Sequence, residues 1–168
     1  MASELHVDAI KHSGGTSALT IDSGGVVTLS SASYPQVFHS RATGSQDITS
    51  SYTDISGCVL TGITPRSSSS KFLITGNFYA NLNGATGFRV RLIKTVGGSD
   101  TTIYEQRNTY AMYQNEGGDH HQNHVTFLDT PSTASVIGYK FQVIEHNTET
   151  MTLNQGDYSS ITVQEYLG

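Results

Sequence analysis

The densest run of reactive side chains is Gly117-Gly118-Asp119-His120-His121-Gln122-Asn123-His124. Its imidazoles and carboxylate are ligand types that Zn²⁺ or Ni²⁺ accept, because neutral imidazole suits both ions. His120, His121 and His124 are therefore the candidate metal ligands. The spacing belongs to no helical zinc motif, and the flanking glycines predict a loop. A polar loop at a tip or interface would use the same residues, and no other cofactor is expected.

Arg89 and Arg91 lie on the opposite face of a strand from Val90 and Leu92, with Lys94 nearby. Paired guanidinium groups can grip a sugar carboxylate or a phosphate through charge-assisted hydrogen bonds. Alternatively, they belong to an outward strand face balanced by Glu105 or Glu145. Tyr104, Tyr110 and Tyr113, with Asn108 and Asn115, supply the aromatic and amide mixture common in contact surfaces. Tyr110, Tyr113, Asn115, Arg89 and Arg91 are the candidate receptor-binding residues; tyrosines packed between subunits would share that composition.

Catalysis finds little footing. Glu105, Glu116 and Asp119 could serve as acid and base in a glycosidase, which needs two carboxylates at a set separation. Nothing in the sequence fixes that separation, and fourteen acidic residues offer many accidental pairs. The chain has no Gly-x-Ser-x-Gly elbow and no phosphate loop. Cys58 is the single cysteine and reads as a small buried hydrophobe beside Val59 and Leu60. The expected role is binding or structure, not enzymatic turnover.

The elements that must position these residues are strands. Leu5–Ile10 and Ala18–Asp22 alternate with period two and Val26–Leu29 is a third short strand, separated by Ser13-Gly14-Gly15 and Ser23-Gly24-Gly25 turns. Such short strands bury too little surface to offset ordering entropy of about 1–2 kcal/mol per residue, so they call for partners. Ser30–Pro35 reads as a linker, which divides the chain into a segment 1–33 and a domain 34–168. Val37-Phe38, Thr53-Asp54-Ile55 and Cys58-Val59-Leu60 look like short strands, and Ser67–Ser70 is predicted to be a solvated polar loop. Phe72, Ile74, Phe78, Ala80 and Leu82 share one face of a long strand, and Gly76 on that face marks a bulge or a close neighbour. Asn83-Gly84 is a turn signal, and Phe88–Leu92 and Thr101–Gln106 complete an expected three-stranded meander. Residues 108–124 are expected to form a long loop or ragged edge. Val125–Leu128, Gly138–Glu145, Thr150–Leu153 and Ser160–Gln164 finish the set, and turns about every 8–12 residues point to an antiparallel β-sandwich or jelly roll.

Composition agrees with an all-β chain. Charged residues are 14% and hydrophobic residues 36%, the balance being Ser, Thr, Gly and Asn, which serve strands and turns better than helices. A net charge of −5 from only nine Lys and Arg gives no footprint for nucleic acid or an acidic membrane. Nothing approaches the ~18–20 apolar residues of a membrane span, and the first residues lack the pattern of a secretory signal.

Two stretches carry a resemblance. Val7 to Gly25, about an eighth of the chain, resembles the N-terminal segment of fibre and virion structural proteins of tailed bacteriophages. Lys71 to Tyr166 is similar in pattern to the TNF/C1q-like jelly roll that caps trimeric fibres. The pattern is the Phe72–Leu82 strand with its Asn83-Gly84 turn, the Phe88–Leu92 and Gly138-Tyr139-x-Phe141-x-Val143 strands, and a terminal Ile161-x-Val163. The resemblance implies a homotrimer on the virion surface, made in a bacterial cytoplasm and joined to other tail or capsid proteins by its N-terminal segment. Its head would bind a host surface glycan or protein; the alternative it implies is a capsid decoration (cement) protein.

Overall fold

A computed structural model of the chain describes residues 7–11, 14–15, 17–29, 35–107, 112–113, 115, 118–147 and 149–167. Among them every regular element is a strand, and the sheets are antiparallel. The chain divides into two compact units, Met1–Gln36 and Val37–Gly168.

In the first unit β1 (Ala9–Lys11), β2 (Ser17–Ile21) and β3 (Val27–Leu29) pair in sequence order. The β2–β3 turn is built by Asp22, whose Oδ1 accepts the Gly24 and Val26 amides, both at 2.9 Å. Gly25 follows at φ 77°, a conformation that favours glycine. The side chains of Ile10, Val26 and Val27 are exposed, so this small sheet leaves apolar surface in solvent.

The second unit holds β4 (Val37–Arg41), β5 (Gln46–Ile48), β6 (Thr53–Ile63), β7 (Lys71–Asn83), β8 (Gly87–Val96), β9 (Ser99–Glu105), β10 (Met112–Tyr113), β11 (Asp119–Asp129), β12 (Ile137–Glu145), β13 (Thr150–Leu153) and β14 (Ser160–Tyr166). One edge of β7 pairs β11 along nearly its whole length. Its other edge takes β14 beside Lys71–Asn77 and β13 beside Ala80–Asn83, end to end. β4 and β5 continue outward from β14 and β13. The second sheet runs β6, β12, β8, with β9 and β10 sharing the far edge of β8. Counting the end-to-end strands as one, the orders are first-eighth-third-sixth and second-seventh-fourth-fifth, the double Greek key of a jelly roll.

The inner faces follow from alternation. Phe72, Ile74, Phe78, Ala80 and Leu82 of β7 meet Phe88, Val90 and Leu92 of β8 and Tyr139, Phe141 and Val143 of β12 in one core. Phe78 and Phe141 make an edge-on pair, 4.8 Å between centroids at 71°. Gly76 lies beneath them in unbroken register with Val125 and Ile161, so it marks a close neighbour and not a bulge.

Four expectations need correction. β7 and β8 do not pair: the chain crosses between sheets at residues 84–86, where buried Thr86 donates to the Glu145 carboxylate, so the meander is only the β8–β9 hairpin. Thr53–Ile55 and Cys58–Leu60 are one strand, β6, bent at Gly57 (φ 78°), whose missing Cβ leaves room for the Ala42 backbone. Residues 119–124, expected in a long loop or ragged edge, are a regular part of the edge strand β11, because the Tyr79–Leu82 stretch of β7 needs a ladder partner and takes this polar one. The Ser67–Ser70 turn is also less solvated than expected: Ser70 is buried.

Candidate functional site

The outer face of the second sheet carries a ladder of polar side chains, interrupted on β8 by Ile93. β8 projects Arg89 and Arg91 outward, two residues apart, because Val90 and Leu92 are committed to the core. Tyr52, just before β6, lies against both guanidinium groups, with its ring centroid 3.8 Å from Arg91 and 5.7 Å from Arg89. Its hydroxyl donates to Glu105 Oε1 at 2.7 Å, and Arg89 Nη2 meets the same oxygen at 3.3 Å. Burial, then the Glu105 contact, raises the Tyr52 pKa above the usual phenol value. Arg91 Nε donates to Gln142 Oε1 at 2.7 Å, and Gln142 Nε2 donates to Asp54 Oδ1 at 2.6 Å. Lys140, the next outward residue of β12, bridges Asp54 Oδ2 at 3.2 Å and Asp100 Oδ2 at 2.9 Å. Hydrogen bonds from Thr95 and Lys140 hold the Asp100 carboxyl below its usual range, and Asp100 in turn raises Lys140. Three cations, Arg89, Arg91 and Lys140, thus answer three carboxylates, Glu105, Asp54 and Asp100.

The receptor-binding candidates are partly united by this face. Arg89 and Arg91 stand side by side, and Tyr113 pairs with Gly87 at the β8 edge, on the same side of the sheet. Tyr113 and Asn115 are exposed. Tyr110 lies outside the described residues, as do Asn108, Glu116 and Gly117. Sequence reading missed Tyr52, Asp54, Gln142 and Lys140. The alternation of Lys140 and Gln142 with Tyr139, Phe141 and Val143 signalled their outward placement; Tyr52 had no such signal.

The metal candidates are not brought together within the chain. In an extended strand His120 and His124 point to one face and His121 to the other. His120 stacks on Tyr79 at 5.4 Å, and both His124 nitrogens are in hydrogen bonds, Nδ1 with Asn77 Oδ1 at 2.6 Å and Nε2 with Thr126 Oγ1 at 3.0 Å. Among the described residues no three His, Cys, Asp or Glu side chains converge as a metal site.

The outer face of the first sheet differs in kind. Across four strands, Leu128, Leu73, Gln164 and Val37 form one row, and Thr126, Thr75, Thr162 and His39 form the next. His124, Asn77, Ser160 and Arg41 form a third. Leu128 and Val37 are 56% and 55% exposed. Among the described residues, the charged side chains that the strands carry on this face are Arg41, Asp47 and Lys71.

No family model matches the sequence, and no curated protein matches it. Among solved structures, the chain is similar to a chain of the infectious bursal disease virus Gx strain, with 11% identity and a TM-score of 0.49, over 80% of this chain and 32% of that one. It is also similar to the VP2 subviral particle of infectious bursal disease virus, with 12% identity and a TM-score of 0.46, over 95% and 37%. A Bacillus endospore appendage protein matches at 10% identity and a TM-score of 0.32, over 84% and 97%. The chain spans about a third of the length of the viral chains it matches.

Proposed function

We propose that this protein is a surface structural component of a tailed bacteriophage particle, assembled as a homotrimer. In this reading the N-terminal unit joins it to other virion proteins, and the jelly-roll head, of TNF/C1q-like type, binds a host surface glycan or protein. It is a binding and structural part, not a catalyst. The observation that supports the reading is the contrast between the two outer faces of the sandwich. Interface centres are depleted of charge, and the first sheet offers rows of Thr, Asn and Ser with exposed Leu128 and Val37, suited to burial against symmetry mates. The second sheet keeps its charges and its tyrosine-backed arginines toward solvent, suited to an external partner. The exposed Ile10, Val26 and Val27 of the first unit call for a covering partner in the same way.

Immunogold labelling of intact phage particles with antibody against the head tests the role. Gold at the tail supports a fibre with a reading head; gold scattered over the capsid replaces that with the decoration role. Particles that carry no gold, with the protein free in the lysate, overturn the virion assignment.

A further inference from the structure

The ladder on the second sheet ends at a trough. Gly138 is the outward residue of β12 between Thr95 of β8 and the Leu60–Thr61 segment of β6, and it leaves the floor without a side chain. A Cβ there would come within 2.9 Å of the Leu60 carbonyl oxygen and stand between Thr61 and Thr95. To one side is a cavity of about 180 Å3 bounded by Gly62, Gly97, Gly98 and Val136. To the other is a cavity of about 230 Å3 bounded by Val59, Asp54, Asp100 and Lys140. Both are walled by Thr61 and Thr95, so they lie next to one another along β12.

We propose that this trough binds a neutral saccharide, one hydroxyl-bearing edge held by Asp54, Asp100 and Lys140 and the C–H face laid over Gly138 toward Val136. A carboxylate offers about four lone-pair directions and an ammonium three donors. Asp54 spends two on Gln142 and Lys140, and Asp100 spends two on Thr95 and Lys140. Lys140 spends two N–H groups on the two carboxylates. Each therefore keeps capacity of the kind that vicinal hydroxyls use, donating to carboxylate and accepting from ammonium. The Asp54 and Asp100 side chains are 45% and 47% exposed, so those free directions are open to solvent. The opposite end is apolar: exposed Val136 and bare glycine backbone match the C–H face of a pyranose.

The same arrangement argues against other ligands. Two carboxylates against one ammonium leave a net negative site, which disfavours sialic or uronic acids and phosphates. Lys140 stands where a divalent cation would have to sit between the carboxylates. A polyol without charge is the class that remains.

This deepens the host-surface role proposed above, and its test separates the two. Saturation-transfer NMR would use the full-length protein with millimolar D-galactose, L-rhamnose and N-acetyl-D-glucosamine as probes. At least one should receive saturation through its ring protons. Two variants on exposed side chains check the place: T61R puts a long side chain across the trough, and the D54N/D100N pair removes the charged acceptors. Each should weaken binding about tenfold or more with the melting temperature kept. Transfer that survives both variants but is lost in R91A overturns the trough while leaving the head a surface reader. No transfer from the wild type to any probe overturns it as well, whatever the native mass.

Discussion

Gly76 lies at a tight point of the core and allows a sharp steric prediction. A Cβ built there would be 2.4 Å from Phe78 Cζ and 2.6 and 2.8 Å from Phe141 Cε2 and Cζ. Carbon atoms pack comfortably at about 3.5–4.0 Å, so Gly76→Ala must push two rings by roughly 1 Å each in a close-packed interior. Overpacking of this kind costs about 1–3 kcal/mol, and disturbing the edge-on Phe78–Phe141 pair adds about 0.5–1.5 kcal/mol. Against this stands a gain of about 0.4–1 kcal/mol from stiffening the unfolded chain, because the backbone of Gly76 is not in the left-handed region. The net expectation is a loss of about 2 kcal/mol, or about 7 °C in melting temperature for a unit the size of Val37–Gly168. Differential scanning calorimetry at matched protein concentration reads it. Gly44→Ala is the control, since nothing lies within 4 Å of its Cβ, and it should be neutral or slightly stabilising. Phe141→Leu should cost less in the G76A background than alone, a coupling of about 1 kcal/mol or more. A G76A protein that melts with the wild type would refute the packing argument.

Glu165 is fully buried, with Oε1 accepting the Arg66 amide at 2.7 Å and Oε2 meeting Arg66 Nε at 3.0 Å. Burial raises its pKa, but the Ser70 hydroxyl and the Arg66 groups outweigh that and hold the carboxyl below its usual value. The folded state therefore gains stability above the unfolded value near 4.5 and loses it as pH falls through the depressed one. Glu165→Gln should cost about 3 kcal/mol at neutral pH by urea titration and flatten the acid limb; an unchanged acid limb would assign that limb to other groups. Burial pushes the Cys58 thiol up to about 12, so a disulfide reagent at pH 8 should label it only at the rate of unfolding. Rapid stoichiometric labelling of the folded protein would contradict its burial. Thr75 sits mid-row on the outer face that carries little charge, so Thr75→Glu should break the proposed trimer to monomers in sedimentation velocity while hardly changing the urea midpoint of the isolated fold. An intact assembly carrying the new charge would move the interface elsewhere.

Inward and outward placement was legible from period-two patterning, and pairing was not. Phe72, Ile74, Phe78, Ala80 and Leu82 were placed together by alternation alone, and all are buried. Alternation does not say which strand lies alongside. β7 and β8 are neighbours in sequence yet belong to different sheets, and β7 pairs instead with β14, whose residues follow their partners by more than eighty positions. That is the nature of a jelly roll, whose ladders are mostly non-local. The strand His120–His124 was hidden because His, Gln and Asn are weak strand formers; an edge position on β7, with its outer side chains in solvent, tolerates them. Arg89 and Arg91 were visible as outward cations, and the expected balance with Glu105 is present. Tyr52 and Asp54, at the start of β6, and Gln142 of β12 complete the ladder from two distant parts of the chain, which no local pattern could join.

The central claim is that three copies of this chain assemble through a face with little charge. The native mass of the purified protein, by light scattering or native mass spectrometry at micromolar concentration, tests it most directly. The account predicts three times the 18.1 kDa chain. A stable monomer would contradict it, and would leave a single jelly-roll domain that docks on a larger partner.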